Sequence, residues 1–228
     1  MLSKGIPMKT ETRSIESFDK INFKDFGTLI LTQGDQEALT IEADEDLIDD
    51  LISEVRDGTL HLGVEEDWFT RFGKLVSAVF SSSNHKVTYY LTFVSLHKLN
   101  ASGKCNLQCA SLKTDNLKIN ISGYGNMTID ELQTDDLKVN ISGRGDFKAA
   151  GTAVNQSVSI SGSGDYETPA LNSQSAKITI SGQGDATVRV EEDLSVTISG
   201  VGHVNYYGRP KLRQVISGLG KSKRIDDE

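Results

Sequence analysis

Long apolar runs are absent from this 228-residue sequence, and so is any excess of positive charge. No stretch approaches the roughly 20 consecutive apolar residues that a membrane-spanning helix needs. Residues 1–18 are polar and contain neither the apolar core of a secretion signal nor a lipidation cysteine. The formal net charge is −8, and neither half of the chain has the basic surface that nucleic acids require. We therefore expect no membrane span, no nucleic-acid partner, and either a cytosolic protein or a mature form whose targeting segment was removed.

Cysteine and histidine are also scarce. Cys105 and Cys109 are the two cysteines, and they lie four positions apart in a predicted strand. Their Cα atoms are then roughly 13 Å apart, beyond the limit of about 7 Å for a disulfide. We therefore expect two free thiols. The four histidines are scattered along the chain, which disfavours a zinc site, and no motif indicates a cofactor.

A repeated Ser-Gly-x-Gly motif is the dominant pattern of the sequence. A degenerate copy begins at Ser102, and complete copies begin at Ser122, Ser142, Ser161, Ser181, Ser199 and Ser217. The spacing of 18 to 20 residues is too short for helical-pair repeats or propeller blades, and it matches one coil of a β-solenoid. The asparagine ladder and leucine pattern of leucine-rich repeats are absent.

Strict alternation of apolar and polar residues precedes each motif, as in Leu117, Ile119 and Ile121, and this alternation predicts a strand with one buried face. Two inward columns result: Ile121, Ile141, Ile160, Ile180, Ile198 and Ile216 in one, and Ile119, Val139, Val158, Ile178 and Val196 in the other. A shorter strand follows each turn, and a third apolar point follows at Leu112, Leu132 or Leu171. The sequence predicts an all-β, single-chain β-solenoid with coils of about 18–20 residues, plus one or two short helices in its N-terminal part.

The turn residues have a structural and a metal-binding interpretation. Glycine accepts positive φ, which would let Gly-x-Gly bend each coil. Acidic residues follow the turns and would stack roughly 4.8 Å apart at Asp146, Asp165 and Asp185. Hydrogen bonding to turn amides explains them, and calcium binding is the weaker alternative because calcium-binding repeats place the acid differently. Arg144-Gly145-Asp146 spells an integrin-recognition tripeptide, but it is also one variant of the repeated turn.

The first hundred residues differ from the repeats, with 6 of the 21 glycines and 10 of the 15 aromatic residues. Residues 1–12 are predicted to be disordered or tag-like, and 222–228 to be a polar tail. Between them we expect a single domain over 13–221, with N-terminal strands over 13–100 and the repeats over 101–221. Residues 44–56 have an apolar stripe at helical spacing, which predicts a helix that ends at Gly58.

Residues 65–84 carry a second apolar stripe at helical spacing. The stripe contains the partner-binding candidates Trp68, Phe69, Phe72 and Phe80. One interpretation is a helix that covers an end or flank of the solenoid. The other is an exposed apolar flap that binds a partner, a membrane surface or a second copy of the chain.

The sequence resembles the family described as "putative auto-transporter adhesin, head GIN domain". The resemblance rests on residues 18–21 through 29–34, on 39–44 continuing to Leu47, on 58–60, and on the Ser-Gly-x-Gly-Asp repeats. It extends from about residue 10 to about residue 221. The resemblance implies a β-helical fold, export or lipoprotein anchoring at a bacterial cell envelope, and a role in surface adhesion. It implies no catalytic residues.

Three functional classes are compatible with these patterns. We favour a non-enzymatic, adhesin-like or scaffold protein of the cell envelope that presents a repetitive surface to glycans or proteins. Polysaccharide-active enzymes also use β-helices, but they need converging acids in a groove, and no catalytic motif is present. A self-assembling structural module is the third possibility. The ligand and the oligomeric state are not encoded in any motif of the sequence.

Overall fold

The computed structural model describes residues 7–64 and 86–226, and these form strands and one turn of 3-10 helix. The N-terminal section contains β1 (Met8–Arg13), β2 (Lys20–Phe23), β3 (Phe26–Gln33), β4 (Ala38–Asp44), the 3-10 turn (Ile48–Asp50), β5 (Leu51–Arg56), β6 (Thr59–Val64), β7 (Val87–Phe93) and β8 (Lys98–Ala101). The repeat section contains β9 (Lys104–Ile121), β10 (Met127–Ile141), β11 (Phe147–Ile160), β12 (Tyr166–Ile180), β13 (Ala186–Ile198), β14 (Val201–Tyr207), β15 (Lys211–Ile216) and β16 (Leu219–Arg224). The chain is a β-solenoid of about six turns, as predicted.

Long strands of the repeat section stack in parallel, each one coil above the last. β9, β10, β11, β12 and β13 pair in sequence order, so each residue lies over its counterpart in the preceding coil. The two predicted inward columns are confirmed as fully buried from Ile119 and Ile121 to Val196 and Ile198. Phe147 and Tyr166 stack in another interior column with their ring centroids 5.4 Å apart. Stacking therefore buries what one coil could not bury alone.

Close stacking, and not positive φ, accounts for most of the motif glycines. At Gly143 a Cβ would lie 2.0 Å from the Gly123 carbonyl oxygen, and at Gly164 it would lie 2.1 Å from the Gly145 carbonyl oxygen. Neither residue has positive φ. The prediction that these glycines bend each coil through positive φ is therefore wrong at most levels. The turns of successive coils approach so closely that they leave no space for a methyl group.

The N-terminal section reaches the same stacked geometry by interleaving its strands. β3 lies between β7 and β9, and β2 lies between β6 and β8. β1 and β4 then extend one path of the sheet, and β5 extends the other. Antiparallel pairs occur at this end of the molecule, between β1 and β4, β4 and β7, and β5 and β6.

Two predictions for the N-terminal section are wrong. Residues 44–56 form the single 3-10 turn and β5 instead of a helix. A tight hairpin links β5 to β6, and both of its central residues, Asp57 and Gly58, have positive φ. Asp-Gly is a strong signal for such a turn, and the hairpin overrides the helical spacing before it. Residues 8–12, predicted to be disordered or tag-like, belong to β1.

The C-terminal end of the solenoid closes with a polar pair. Gln214 lies over the buried Val196, and Ser222 lies over the buried Val204. The Ser222 hydroxyl donates a hydrogen bond to the Gln214 side-chain oxygen. Ile216 continues the predicted inward column but is 37% exposed, because no described coil lies beyond it. Residues 222–224 of the predicted polar tail belong to β16, a further strand of the last coil. Among the described residues, no helix is long and apolar enough to cross a membrane.

Candidate binding face

A column of basic residues runs along one outward face of the solenoid. It is built by the pairing of ten consecutive levels, each about 4.8 Å from the next, over roughly 43 Å. Seven of the ten positions are Lys or Arg, and the other three carry small hydroxyl groups. In order the column is Arg56, Thr59, Lys20, Lys98, Lys118, Lys138, Ser157, Lys177, Ser195 and Arg213. We refer to these ten residues as the basic column.

Most of the lysines in the basic column have no acidic partner. Within the described parts of the chain, Lys98, Lys118, Lys138 and Lys177 form no ion pair. The only basic residues of the column that are paired there are Lys20, Arg56 and Arg213, which meet Asp19, Glu54 and Asp193. Stacked ammonium groups repel one another. The central part of the column is therefore a line of uncompensated positive charge on a protein whose net charge is −8.

A ladder of amide side chains runs beside the basic column. The Asn120 amide group donates to the Asn100 side-chain oxygen at 2.6 Å, and the Asn140 amide group donates to the Asn120 side-chain oxygen at 2.8 Å. Asn22 continues the ladder towards the N-terminal end, where it contacts His61 at 3.3 Å. These contacts join asparagines that recur once per coil on the outward face. The ladder places neutral hydrogen-bonding groups at a regular spacing next to the lysines.

A shallow depression of about 320 Å³ lies where serines replace lysines in the basic column. Its lining includes Ser157, Lys177, Ser195 and Arg213 of the column, together with Asn155. The short serine side chains leave space between the longer basic ones. The depression therefore combines positive charge, hydroxyl groups and an amide in one open recess, which suits a polar ligand and does not enclose it.

The acidic side chains of the turns accept hydrogen bonds from backbone amides of the next coil. The Asp146 carboxylate accepts a hydrogen bond from the Asp165 amide at 3.0 Å, and the Asp165 carboxylate accepts one from the Asp185 amide at 2.8 Å. The Asp185 carboxylate accepts a hydrogen bond from the His203 amide. These bonds confirm the predicted link between turn acids and turn amides, which here joins successive coils. In the described residues, no three His, Cys, Asp or Glu side chains cluster as metal ligands would.

The exposed corner of the solenoid carries the variable residue of each motif. Tyr124 is 58% exposed, and the Arg144 guanidinium lies over its ring at 5.7 Å from the centroid. Arg144 belongs to the integrin-like tripeptide, yet Asp146 of the same tripeptide is bound to the next coil. The tripeptide is therefore part of the stacked turns.

Both cysteines are free, as predicted, and both are buried. Burial raises the pKa of the Cys105 thiol to about 12 and that of the Cys109 thiol to about 11. The Cys105 thiol donates to the Ser102 carbonyl at 3.2 Å, and the Cys109 thiol donates to the Ser111 carbonyl at 3.3 Å. Thiols that are neutral and already hydrogen-bonded are typical of cysteines that pack in the core, and not of cysteines with redox or metal-binding roles.

The sequence-predicted site residues and the basic column do not coincide. Trp68, Phe69, Phe72 and Phe80, with the whole predicted stripe over 65–84, lie outside the described residues. The basic column was not predicted from the sequence, because its N-terminal members come from interleaved strands. The available signal was the Leu-Lys-x-Asn pattern at 117–120 and 137–140, which recurs as Leu99-Asn100 preceded by Lys98.

Comparison with known proteins agrees with this architecture. The family model described as "putative auto-transporter adhesin, head GIN domain" matches residues 17–210. The chain belongs to this family. None of the curated proteins matches the sequence.

Solved structures share the fold over nearly the whole chain. A crystal structure of a "putative adhesin" from Bacteroides fragilis is similar with a TM-score of 0.84 and 26% identity, covering 96% of this chain and 97% of that one. A "putative lipid binding protein" from Parabacteroides distasonis has a TM-score of 0.74 and 22% identity, covering 96% of each chain. A "putative adhesin" from Parabacteroides merdae has a TM-score of 0.71 and 22% identity, covering 96% of each. The last two similarities show the fold alone.

Proposed function

We propose that this chain is a non-enzymatic, adhesin-like binding protein of the bacterial cell envelope, and that its basic column binds anionic glycans. The observation that carries the proposal is the line of unpaired lysines at Lys98, Lys118, Lys138 and Lys177. The family description and the relative from Bacteroides fragilis support an adhesive role at the envelope. The ligand class follows from the chemistry of the column.

A repetitive ligand suits a repetitive site. One exposed ion pair contributes only about 0 to 1 kcal/mol, so a single charged sugar would bind the column weakly. A polymer that meets several lysines gains from each contact after the first, because the later contacts are intramolecular. Carboxylate or sulfate groups would contact the ammonium groups, and sugar hydroxyls would bond to the neighbouring asparagine amides. A charged polysaccharide therefore uses the full length of the face.

The recess at Ser157 and Ser195 adds a place for one sugar unit against the basic column. Its lining pairs hydroxyl and amide groups with Lys177 and Arg213, while Asp193 lies beside Arg213 at 4.0 Å. Sugars present both donors and acceptors, and this lining offers both. The proposed mechanism is therefore multivalent electrostatic attraction followed by hydrogen bonding at the ladder and the recess.

The test is binding of alginate, an anionic polysaccharide, measured by affinity electrophoresis and by interferometry at about 50 mM and about 500 mM salt. The variant Lys98→Gln/Lys118→Gln/Lys138→Gln removes three positive charges from the column. We expect at least about a tenfold loss of affinity at low salt, because several contacts are lost together. Neutral dextran should not bind either protein.

The matched control is Lys24→Gln/Lys104→Gln/Lys113→Gln, which has the same net charge but leaves the basic column intact. All three of these lysines are exposed. We expect this control to bind alginate within about threefold of the wild type, since long-range attraction is partly screened. Equal losses in both triple variants would show that net charge alone acts. Binding of phosphatidylglycerol vesicles without binding of alginate would also overturn the proposal.

A further inference from the structure

The two ends of the solenoid expose matching strand edges. Among the residues that the structure describes, β1 at the N-terminal end pairs only with β4, and β5 pairs only with β6. At the C-terminal end, the same part of the chain pairs β15 only with β13 and β16 only with β14. Each of these four edge strands is six residues long. The backbone groups on the open side of an edge strand are a template for pairing with another chain.

The exposed edges lie on the same two paths of the sheet. One path runs from β1 through β4, β7 and β3 to the repeats and ends at β16. The other runs from β5 through β6, β2 and β8 to the repeats and ends at β15. A second copy stacked along the solenoid axis would therefore meet β16 with β1 and β15 with β5. The first path contains two antiparallel pairs, so β16 would pair with β1 in parallel. The second path contains one antiparallel pair, so β15 would pair with β5 antiparallel.

The ends also carry opposite charge. Residues 209–228 contain six Lys and Arg against three Asp and Glu, whereas residues 8–13 and 44–57 together contain eight Asp and Glu against three Lys and Arg. Residues 44–57 belong to the N-terminal end, because Arg13 of β1 donates to the carbonyl oxygens of Ile48 and Leu51. In the ranges that the structure describes, Glu45, Asp46, Lys211, Lys221 and Lys223 form no ion pair.

Apolar side chains are exposed in the basic end as well. Leu219 is 75% exposed, Val215 is 66% exposed and Ile216 is 37% exposed, all in the last coil. Met8 of β1 is 48% exposed at the other end. Burial of these side chains between two copies would add apolar stabilisation to the strand pairing and to the attraction between charges.

We propose that copies of this chain associate end to end, with the basic C-terminal end of one against the acidic N-terminal end of the next. The contact is heterologous, so it leaves a free end on each copy and extends the solenoid. A dimer of two C-terminal ends is disfavoured, because it would bring two basic edges together. The inference does not depend on glycan binding, and it uses surfaces other than the predicted stripe over 65–84.

The test is sedimentation velocity of the full chain from about 5 to about 200 µM, at about 50 mM and about 500 mM salt. We expect the weight-average mass to rise at least about twofold over this range at low salt, with species larger than a dimer. At high salt we expect the monomer to dominate. A wild-type protein that stays monomeric at low salt would overturn the proposal, and the edge lysines would then serve to prevent pairing.

Charge-swapped variants provide the decisive arm of this test. Lys211→Glu/Lys221→Glu/Lys223→Glu makes the C-terminal end acidic, and Glu45→Lys/Asp46→Lys makes the N-terminal end less acidic. We expect the C-terminal variant to be monomeric and the N-terminal variant to associate more weakly than the wild type. An equimolar mixture should form dimers, because the unaltered basic end of the N-terminal variant meets the unaltered acidic end of the C-terminal variant, whereas the two altered ends are both acidic. A mixture that stays monomeric would contradict end-to-end stacking.

The control for the charge swap is Lys24→Glu/Lys104→Glu/Lys113→Glu, which changes net charge by the same amount as the C-terminal variant. Its substituted side chains lie away from the four edge strands. We expect its association to match the wild type within about twofold. Circular dichroism confirms folding of each variant, and the N-terminal variant keeps the proposal testable if the C-terminal variant does not fold.

Discussion

The repeat section and the N-terminal section build the same stacked sheet in different ways. In the repeats, each coil follows its neighbour in sequence, and one register rule places every residue over its counterpart. In the N-terminal section the neighbours in space are distant in sequence, as with β2 between β6 and β8. Regular stacking therefore does not require regular sequence. It requires only that each strand presents apolar residues inward at every second position.

The two sections also differ in how their turns tolerate side chains. In the repeats, glycines are packed against the backbone of the preceding coil, at 2.1 Å for a Cβ on Gly164. In the N-terminal section, a Cβ on Gly34 would instead meet the methyl group of Thr92 at 2.8 Å. A side chain can move aside, whereas a stacked carbonyl cannot move without its coil. Substitutions in the repeats should therefore be the more costly.

The largest expected effect tests this difference directly. Gly164→Ala should lower the free energy of unfolding by about 3 kcal/mol or more, because an added methyl group in a packed site without space forces backbone shifts. Gly34→Ala should cost less than about 1 kcal/mol. Urea denaturation followed by circular dichroism measures both. Ser163→Ala, at the exposed neighbour of Gly164, is the control and should be near neutral. Equal costs for the two glycine variants would refute the steric explanation.

The second expected effect concerns the thiols at the junction of the two sections. Cys105 pairs with Gly27 of the N-terminal section, and burial raises the pKa of its thiol to about 12. The reactive thiolate is then scarce at pH 8, so modification by a disulfide reagent should be at least about a hundredfold slower than in guanidinium. Because the pKa is higher in the folded state than its ordinary value of 9.0, stability should fall as pH rises from about 9 to about 12. Fast reaction in the native state would show that the two sections separate readily.

A smaller effect is expected at the hairpin that replaces the predicted helix. Gly58 has φ of +69° in this turn, and a Cβ there would approach the Asp19 carboxylate oxygen at 3.3 Å, a contact that a small shift of that partly exposed side chain relieves. Gly58→Ala should therefore cost about 1 to 2 kcal/mol through backbone conformation alone. Asp57→Asn should be neutral, since Asn tolerates the same conformation. If the alanine variant were as stable as the wild type in thermal denaturation, the positive φ of this turn would be in doubt.

Sequence patterns predicted the repeat section well and the N-terminal section poorly. Alternation around Ile121 and the spacing of the motifs were sufficient for the inward columns, because the register is repeated in sequence. No such repetition locates β2 or β5, and their neighbours depend on contacts over long sequence distances. At 44–56 the helical spacing of leucines competed with the Asp-Gly hairpin, and the hairpin determined the structure. The basic column needed both sections aligned, so it was not predictable from either one.

Lysine footprinting shows directly whether the basic column is the face that binds the ligand. The folded protein is acetylated briefly at low salt with and without alginate, and each lysine is quantified by mass spectrometry. The account predicts that alginate protects Lys98, Lys118, Lys138 and Lys177 at least about threefold, because ion pairing occupies their ammonium groups. Lys24, Lys104 and Lys113 should be acetylated equally in both conditions. Uniform protection of all lysines, or protection that spares the column, would contradict the account.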